Sequence, residues 1–144
     1  MILLKTLINQ LKMKDALLFR GANLTEAQAA SIALVKAGAV RIPRGYLNFL
    51  NFSDGLAWNG LELFSCGTHE RAGTVFDHPT LTDYHGKYAK GKFFAKRLVL
   101  GRFLECLVCY NATNHCYELV DRDSLIPMLK LPRFEDLLFQ IISG

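Results

Sequence analysis

At 144 residues the chain fits one domain, long enough to bury a core without disulfides or metals. Its residues are 51% hydrophobic and 21% charged, the balance of an ordinary globular protein, which excludes disorder. The formal charge of +4 is spread along the chain and by itself specifies no partner.

The stretch from Met1 to Leu11 is apolar, but Lys5, Thr6, Asn9 and Gln10 interrupt it before it can serve as a signal-peptide core. No window reaches the about 18 uninterrupted apolar residues of a membrane-spanning helix. The expected location is therefore the cytoplasm, where the four cysteines stay reduced.

Leu3, Leu4, Leu7, Ile8, Leu11 and Leu18 recur at helical spacing, with Gly21 placed to end the segment, which predicts an N-terminal helical extension over 1–21. Thr25 and Gln28 have capping-box spacing ahead of an alanine-rich run to Ala37, closed by Gly38. The small residues of this second helix predict burial on several sides. Pro43 stands where a first-turn proline is favoured, and Tyr46, Leu47, Phe49, Leu50 and Phe52 form a third helix that Asp54 and Gly55 terminate.

Asn59-Gly60 is a turn pair leading into a strand over Leu61 to Phe64, where the sheet is expected to begin. From Ser65 to Arg97 the chain lacks a sustained period and reads as loop, with one short helix near Leu81 to Tyr88. Leu98 to Phe103, Glu105 to Tyr110 and His115 to Val120 alternate as strands, the last two joined by a turn over Asn111 to Asn114. After Pro132, Phe134, Leu137, Leu138, Ile141 and Ile142 predict a closing helix. The order of elements predicts one α+β domain over 1–144, with a mostly antiparallel sheet of about four to six strands, N-terminal helices and a C-terminal helix against it.

Several groups carry possible chemistry. Cys106 and Cys109 have zinc-knuckle spacing, but three residues apart in a strand they face opposite ways, and a turn at Ala112 and Thr113 would set Cys109 opposite Cys116. Structural thiols are the better reading. His69, Glu70, Asp77, His78, Asp83 and His85 gather in one loop-rich stretch without ligand spacing, and Gly67 and Gly73 are too sparse for a phosphate cradle. No catalytic residue, metal or cofactor is expected. Lys87, Lys90, Lys92, Lys96 and Arg97 interleave with Tyr84, Tyr88, Phe93 and Phe94, a mixture that could pair phosphates with stacked bases. The pI of about 8.9 and the lack of an RNA-stacking signature weigh against nucleic acid. Trp58 either caps the core or anchors an interface.

Ile42-Pro43-Arg44-Gly45-Tyr46-Leu47-Asn48-Phe49-Leu50 resembles the segment that opens the core of the SUKH superfamily, the bacterial relatives of a yeast glucan-synthesis regulator. Ser53-Asp54-Gly55-Leu56 and Trp58 to Phe64 are similar to that family's glycine turn and first strand. Leu98 to Gly101, Leu107 to Asn111, Tyr117 to Arg122 and Phe134 to Leu138 resemble its later strands and last helix. The likeness runs from about Thr25 to the end and rests on order and spacing, with Ser65 to Arg97 its least family-like part. It implies an α+β fold and a non-catalytic, protein-binding role. An immunity protein neutralising a toxin of a bacterial competition system comes first, and a regulator of cell-wall or glucan synthesis second. Nucleic-acid binding through residues 84–97 is the third reading. The expected partner contacts are Asp54, Trp58, Glu62, Tyr84 and Tyr88.

Overall fold

The computed structural model describes residues 2–71, 74–75 and 78–144, with the backbone alone at 70–71 and 74–75. Helix α1 (Leu4–Met13) buries Leu4, Leu7, Ile8 and Leu11 along one stripe. It is shorter than its apolar spacing predicts. Asp15 takes φ +61°, a left-handed conformation that a helix cannot continue through, and Leu17–Leu18 then form strand β1. Leu18 is thus a strand residue, paired with Leu56.

Helix α2 (Leu24–Lys36) starts two residues earlier than expected. Asn23 is the N-cap: its side chain accepts from the Glu26 N–H at 2.8 Å, and the Glu26 carboxylate accepts from the Asn23 N–H at 3.2 Å. Asparagine caps better than threonine, and the Glu26 charge meets the positive end of the helix, so this box displaces Thr25 and Gln28. The helix buries Ala27, Ala30 and Leu34 but leaves Ile32 57% and Val35 54% exposed. The expected burial on several sides is therefore corrected to one.

Helix α3 (Arg44–Phe52) follows Pro43, which serves as N-cap, and buries Tyr46, Phe49 and Leu50. Strands β2 (Leu56–Trp58) and β3 (Leu61–Leu63) form a hairpin whose Asn59 and Gly60 both have positive φ, the geometry of a two-residue primed turn. Two short strands, β4 (Glu70–Arg71) and β5 (Thr74–Val75), pair with each other outside the main sheet. Helix α4 covers Leu81–Tyr88 as the sequence predicts, and a 3-10 turn follows at Lys92–Phe94.

The long strands β6 (Arg97–Phe103), β7 (Cys106–Asn111) and β8 (Cys116–Asp121) are joined by an outer strand β9 (Pro127–Leu131), before α5 (Phe134–Ser143). The main sheet has seven strands in the order β1-β2-β3-β6-β7-β8-β9, antiparallel throughout. The α+β class and the flanking helices are as expected, and the sheet is wider by β1, β2 and β9. Gly101 permits the close approach of β3 to β6, because a Cβ there would collide with the Glu62 carbonyl.

Strand alternation divides the sheet into two faces. One carries Leu63, Val108, Tyr117 and Leu129 beneath α1, α3 and α5. There the Phe134 ring of α5 meets Tyr46, Phe49 and Tyr117 at 5.3, 5.6 and 5.7 Å. The Tyr46 hydroxyl donates to the Phe64 and Leu100 carbonyls at 2.5 and 3.2 Å, tying α3 to the sheet. The other face carries Glu62, Arg102, Leu107, Cys109, Glu118 and Val120 beneath α4 and the 3-10 turn. Among the described residues no helix is long and apolar enough to cross a membrane.

Candidate functional site

Asp54 leaves α3 into the core, where its side chain is wholly buried. Its carboxylate accepts from the Cys66 N–H at 2.7 Å and the Gly67 N–H at 3.3 Å, and lies 2.9 Å from His69 Nε2. The His69 ring stacks on Phe19 at 4.4 Å. Burial, reinforced by the Asp54 charge, pushes the Cys66 thiol up to about 12, so it keeps its proton at neutral pH and is a poor nucleophile. Nearby, His78 donates from Nε2 to the Leu63 carbonyl at 2.6 Å, and burial holds its imidazole below the usual value. This cluster clamps the 65–69 loop to the end of α3 and β1. The side chains of Glu70 and Asp77, and Gly73, lie outside the described residues. Asp83 is exposed, its N–H donating to the Thr80 hydroxyl that caps α4. Among the described residues, no three His, Cys, Asp or Glu side chains are placed to hold a metal ion.

In β7, Cys106 lies opposite Asp121 and Cys109 opposite Glu118, on the two faces of the sheet. Cys116 pairs with Asn111, which corrects the expected Cys109–Cys116 juxtaposition. The reason is local. The Asn111 side-chain oxygen accepts from the Thr113 and Asn114 N–H groups at 3.0 and 3.3 Å, so the turn begins after Asn111 and the register shifts by two.

Three of the five expected partner contacts meet over the second sheet face. Glu62 pairs with Arg102 at 2.8 Å, and the Arg102 guanidinium lies 5.5 Å from the Phe64 ring and 5.9 Å from that of Tyr84. Tyr84 packs at a tilt between Phe64 and Tyr88, with ring centres 4.7 and 4.9 Å away. Tyr84 is buried and Tyr88 is 61% exposed. Asp54 sits in the interior clamp and offers a partner no surface. Trp58 lies apart on the first sheet face, half-buried, with the Lys14 ammonium 5.5 Å from its ring.

Beyond Tyr88, Lys87, Lys90, Lys92 and Lys96 are all exposed. The sequence holds no acidic residue between Asp83 and Glu105, and among the described residues every ion pair uses arginine or histidine, none lysine. Of the interleaved aromatics only Tyr88 is open to solvent. Phe94 is buried, and Phe93 is covered by the Arg97 guanidinium 4.0 Å from its centre. The segment therefore presents cations without the row of open rings that stacked bases require.

Sequence reasoning missed the ion pair that anchors this segment. Glu118, 0% exposed, accepts from Arg97 Nε at 2.8 Å and Nη2 at 3.4 Å, and from the Asn111 amide at 3.3 Å. The available signal was one glutamate between Tyr117 and Leu119, at an inward position of β8. A shallow groove also opens between α1 and α3, lined by Leu3, Lys5, Asn48, Asn51 and Phe52. No protein-family model and no curated protein matches this chain at a significant level.

Proposed function

We propose that this chain is a non-catalytic protein-binding domain, acting in the cytoplasm through surface shape and charge. The observation that carries the reading is the division of polar groups. The Asp54 carboxylate is occupied by donors inside the fold, and the Cys66 thiol beside it is held protonated. Outside, Lys87, Lys90, Lys92 and Lys96 are exposed on either side of the open Tyr88 in the chain, and among the described residues no lysine enters an ion pair.

The resemblance to the SUKH superfamily supports the same reading and orders its forms. Neutralisation of a toxin in bacterial competition comes first, and regulation of cell-wall or glucan synthesis through a protein contact second. A net basic binder fits a neutral or acidic partner better than a cationic nuclease, because like charges slow the encounter and oppose docking.

The test is purification of the tagged chain from its own cells, with every protein recovered at equal stoichiometry identified by mass spectrometry. A secreted toxin, with its gene immediately upstream, is the expected result. An envelope-synthesis enzyme selects the second form, and recovery of no stoichiometric protein refutes the reading.

A further inference from the structure

We propose that the lysine-bearing turn after α4 docks an acidic protein surface, with Tyr88 as the apolar contact at its centre. This inference rests on the protein-binding reading and adds to it the place of contact and the chemistry of the partner.

Charge comes first. Lys87, Lys90, Lys92 and Lys96 lie within ten residues of chain, all exposed and none ion-paired among the described residues. The arginines that flank them are already neutralised, Arg97 by Glu118 and Arg102 by Glu62. The turn therefore carries a local positive excess that nothing in its own sequence offsets, which steers an acidic partner toward it.

Rigidity comes second. The Lys90 N–H donates to the Tyr88 carbonyl at 3.0 Å, and the Phe94 and Ala95 N–H groups donate to the Gly91 and Lys92 carbonyls at 3.2 Å. The Lys96 carbonyl accepts from Ala112 in the β7–β8 turn at 2.8 Å, and Arg97 binds the Phe93 carbonyl at 3.0 Å. Lysines on so braced a frame lose less freedom on binding than lysines on a tail. Tyr88, open to solvent and backed by Tyr84, is the stiff aromatic that interfaces favour as an anchor.

A nucleic acid would use the same cations, but it would also need several open rings, and Tyr84, Phe93 and Phe94 are engaged within the fold. The geometry points to carboxylates flanking an apolar side chain.

The probe is a randomised peptide display library selected on the wild-type chain, followed by affinity measurement of the selected peptides. The panel comprises wild type, Lys87→Glu/Lys90→Glu/Lys92→Glu, Tyr88→Ala and Lys36→Glu, a lysine on α2. Each variant is used once its urea midpoint matches wild type. The expected peptides place Asp or Glu beside an apolar residue. They weaken about tenfold or more on the triple reversal, weaken on Tyr88→Ala, and are indifferent to Lys36→Glu. Peptides that bind but ignore the triple reversal overturn the site and leave the protein-binding reading standing. Selection of no peptide overturns both. An oligothymidylate strand that binds wild type as tightly as the best peptide and is lost in the triple variant reassigns the turn to nucleic acid.

Discussion

Replacing Arg97 by methionine removes the partner of a carboxylate that has no contact with solvent. Glu118 is 0% exposed and holds three donors, two of them on Arg97 and one on Asn111. Deleting one member of a buried ion pair costs about 3–5 kcal/mol, because the other charge is left in a poorly polarisable interior. The Arg97 side chain is 19% exposed, so water reaches the vacated site from one side, and the expected loss falls to about 2–4 kcal/mol. Glu118→Leu should cost less, about 1–2 kcal/mol, since Arg97 keeps the Phe93 carbonyl, the Phe93 ring and some water. The double variant Arg97→Met/Glu118→Leu should cost only about 0–1 kcal/mol, both charges having left together. Urea unfolding of the four proteins measures the cycle, with equal denaturant slopes as the check on two-state behaviour. A loss under about 1 kcal/mol for Arg97→Met alone, or a double variant as unstable as the two single losses added together, would show that Glu118 does not depend on Arg97 for its burial.

Asp54→Ala should destabilise by about 1–3 kcal/mol, since two part-buried N–H donors lose their acceptor. Hydrogen exchange should rise first at Cys66 and Gly67, whereas an unchanged pattern there contradicts the clamp. The Cys66 thiol, raised from its ordinary 9 to about 12, should react with a disulfide reagent at pH 8 far more slowly in the folded chain than in urea. Because folding raises this group, its contribution to stability is complete below pH 9 and is lost as pH climbs from 9 toward 12. A Cys66→Ala variant should lose part of that alkaline decline. His78 has the opposite sign. Burial lowers its imidazole below 6.5, so its contribution is present above 6.5 and fades as pH falls beneath that value. His78→Gln should flatten the loss of urea midpoint between pH 7 and 5, and an unaltered slope would contradict the assignment.

The candidate site was legible only in its composition. The lysines between Lys87 and Lys96 and their aromatic neighbours stand out along the chain, but composition cannot say which rings are open. Phe93 is covered by Arg97, and Tyr84 is packed between Phe64 and Tyr88. Asp54 looked like a surface turn residue beside a glycine. It is an interior clamp because the 65–69 loop brings the Cys66 and Gly67 N–H groups, twelve and thirteen residues on, to the carboxylate.

Local signals determined α4, α5 and the β2–β3 turn. Their cause is local: a Thr80 cap, an apolar stripe every three or four residues, and an Asn-Gly pair that accepts positive φ. Strands β1 and β9 exist because a neighbouring strand supplies their hydrogen bonds, and two leucines at 17 and 18 carry no period of their own. The capping competition at Asn23, the turn closed by Asn111 and the Arg97–Glu118 pair were likewise decided among groups brought within about 3 Å of one another. The chain alone determined which segments could bury a face. Tertiary packing decided which polar groups those faces would satisfy, because a hydrogen bond depends on distances that the order of residues does not state.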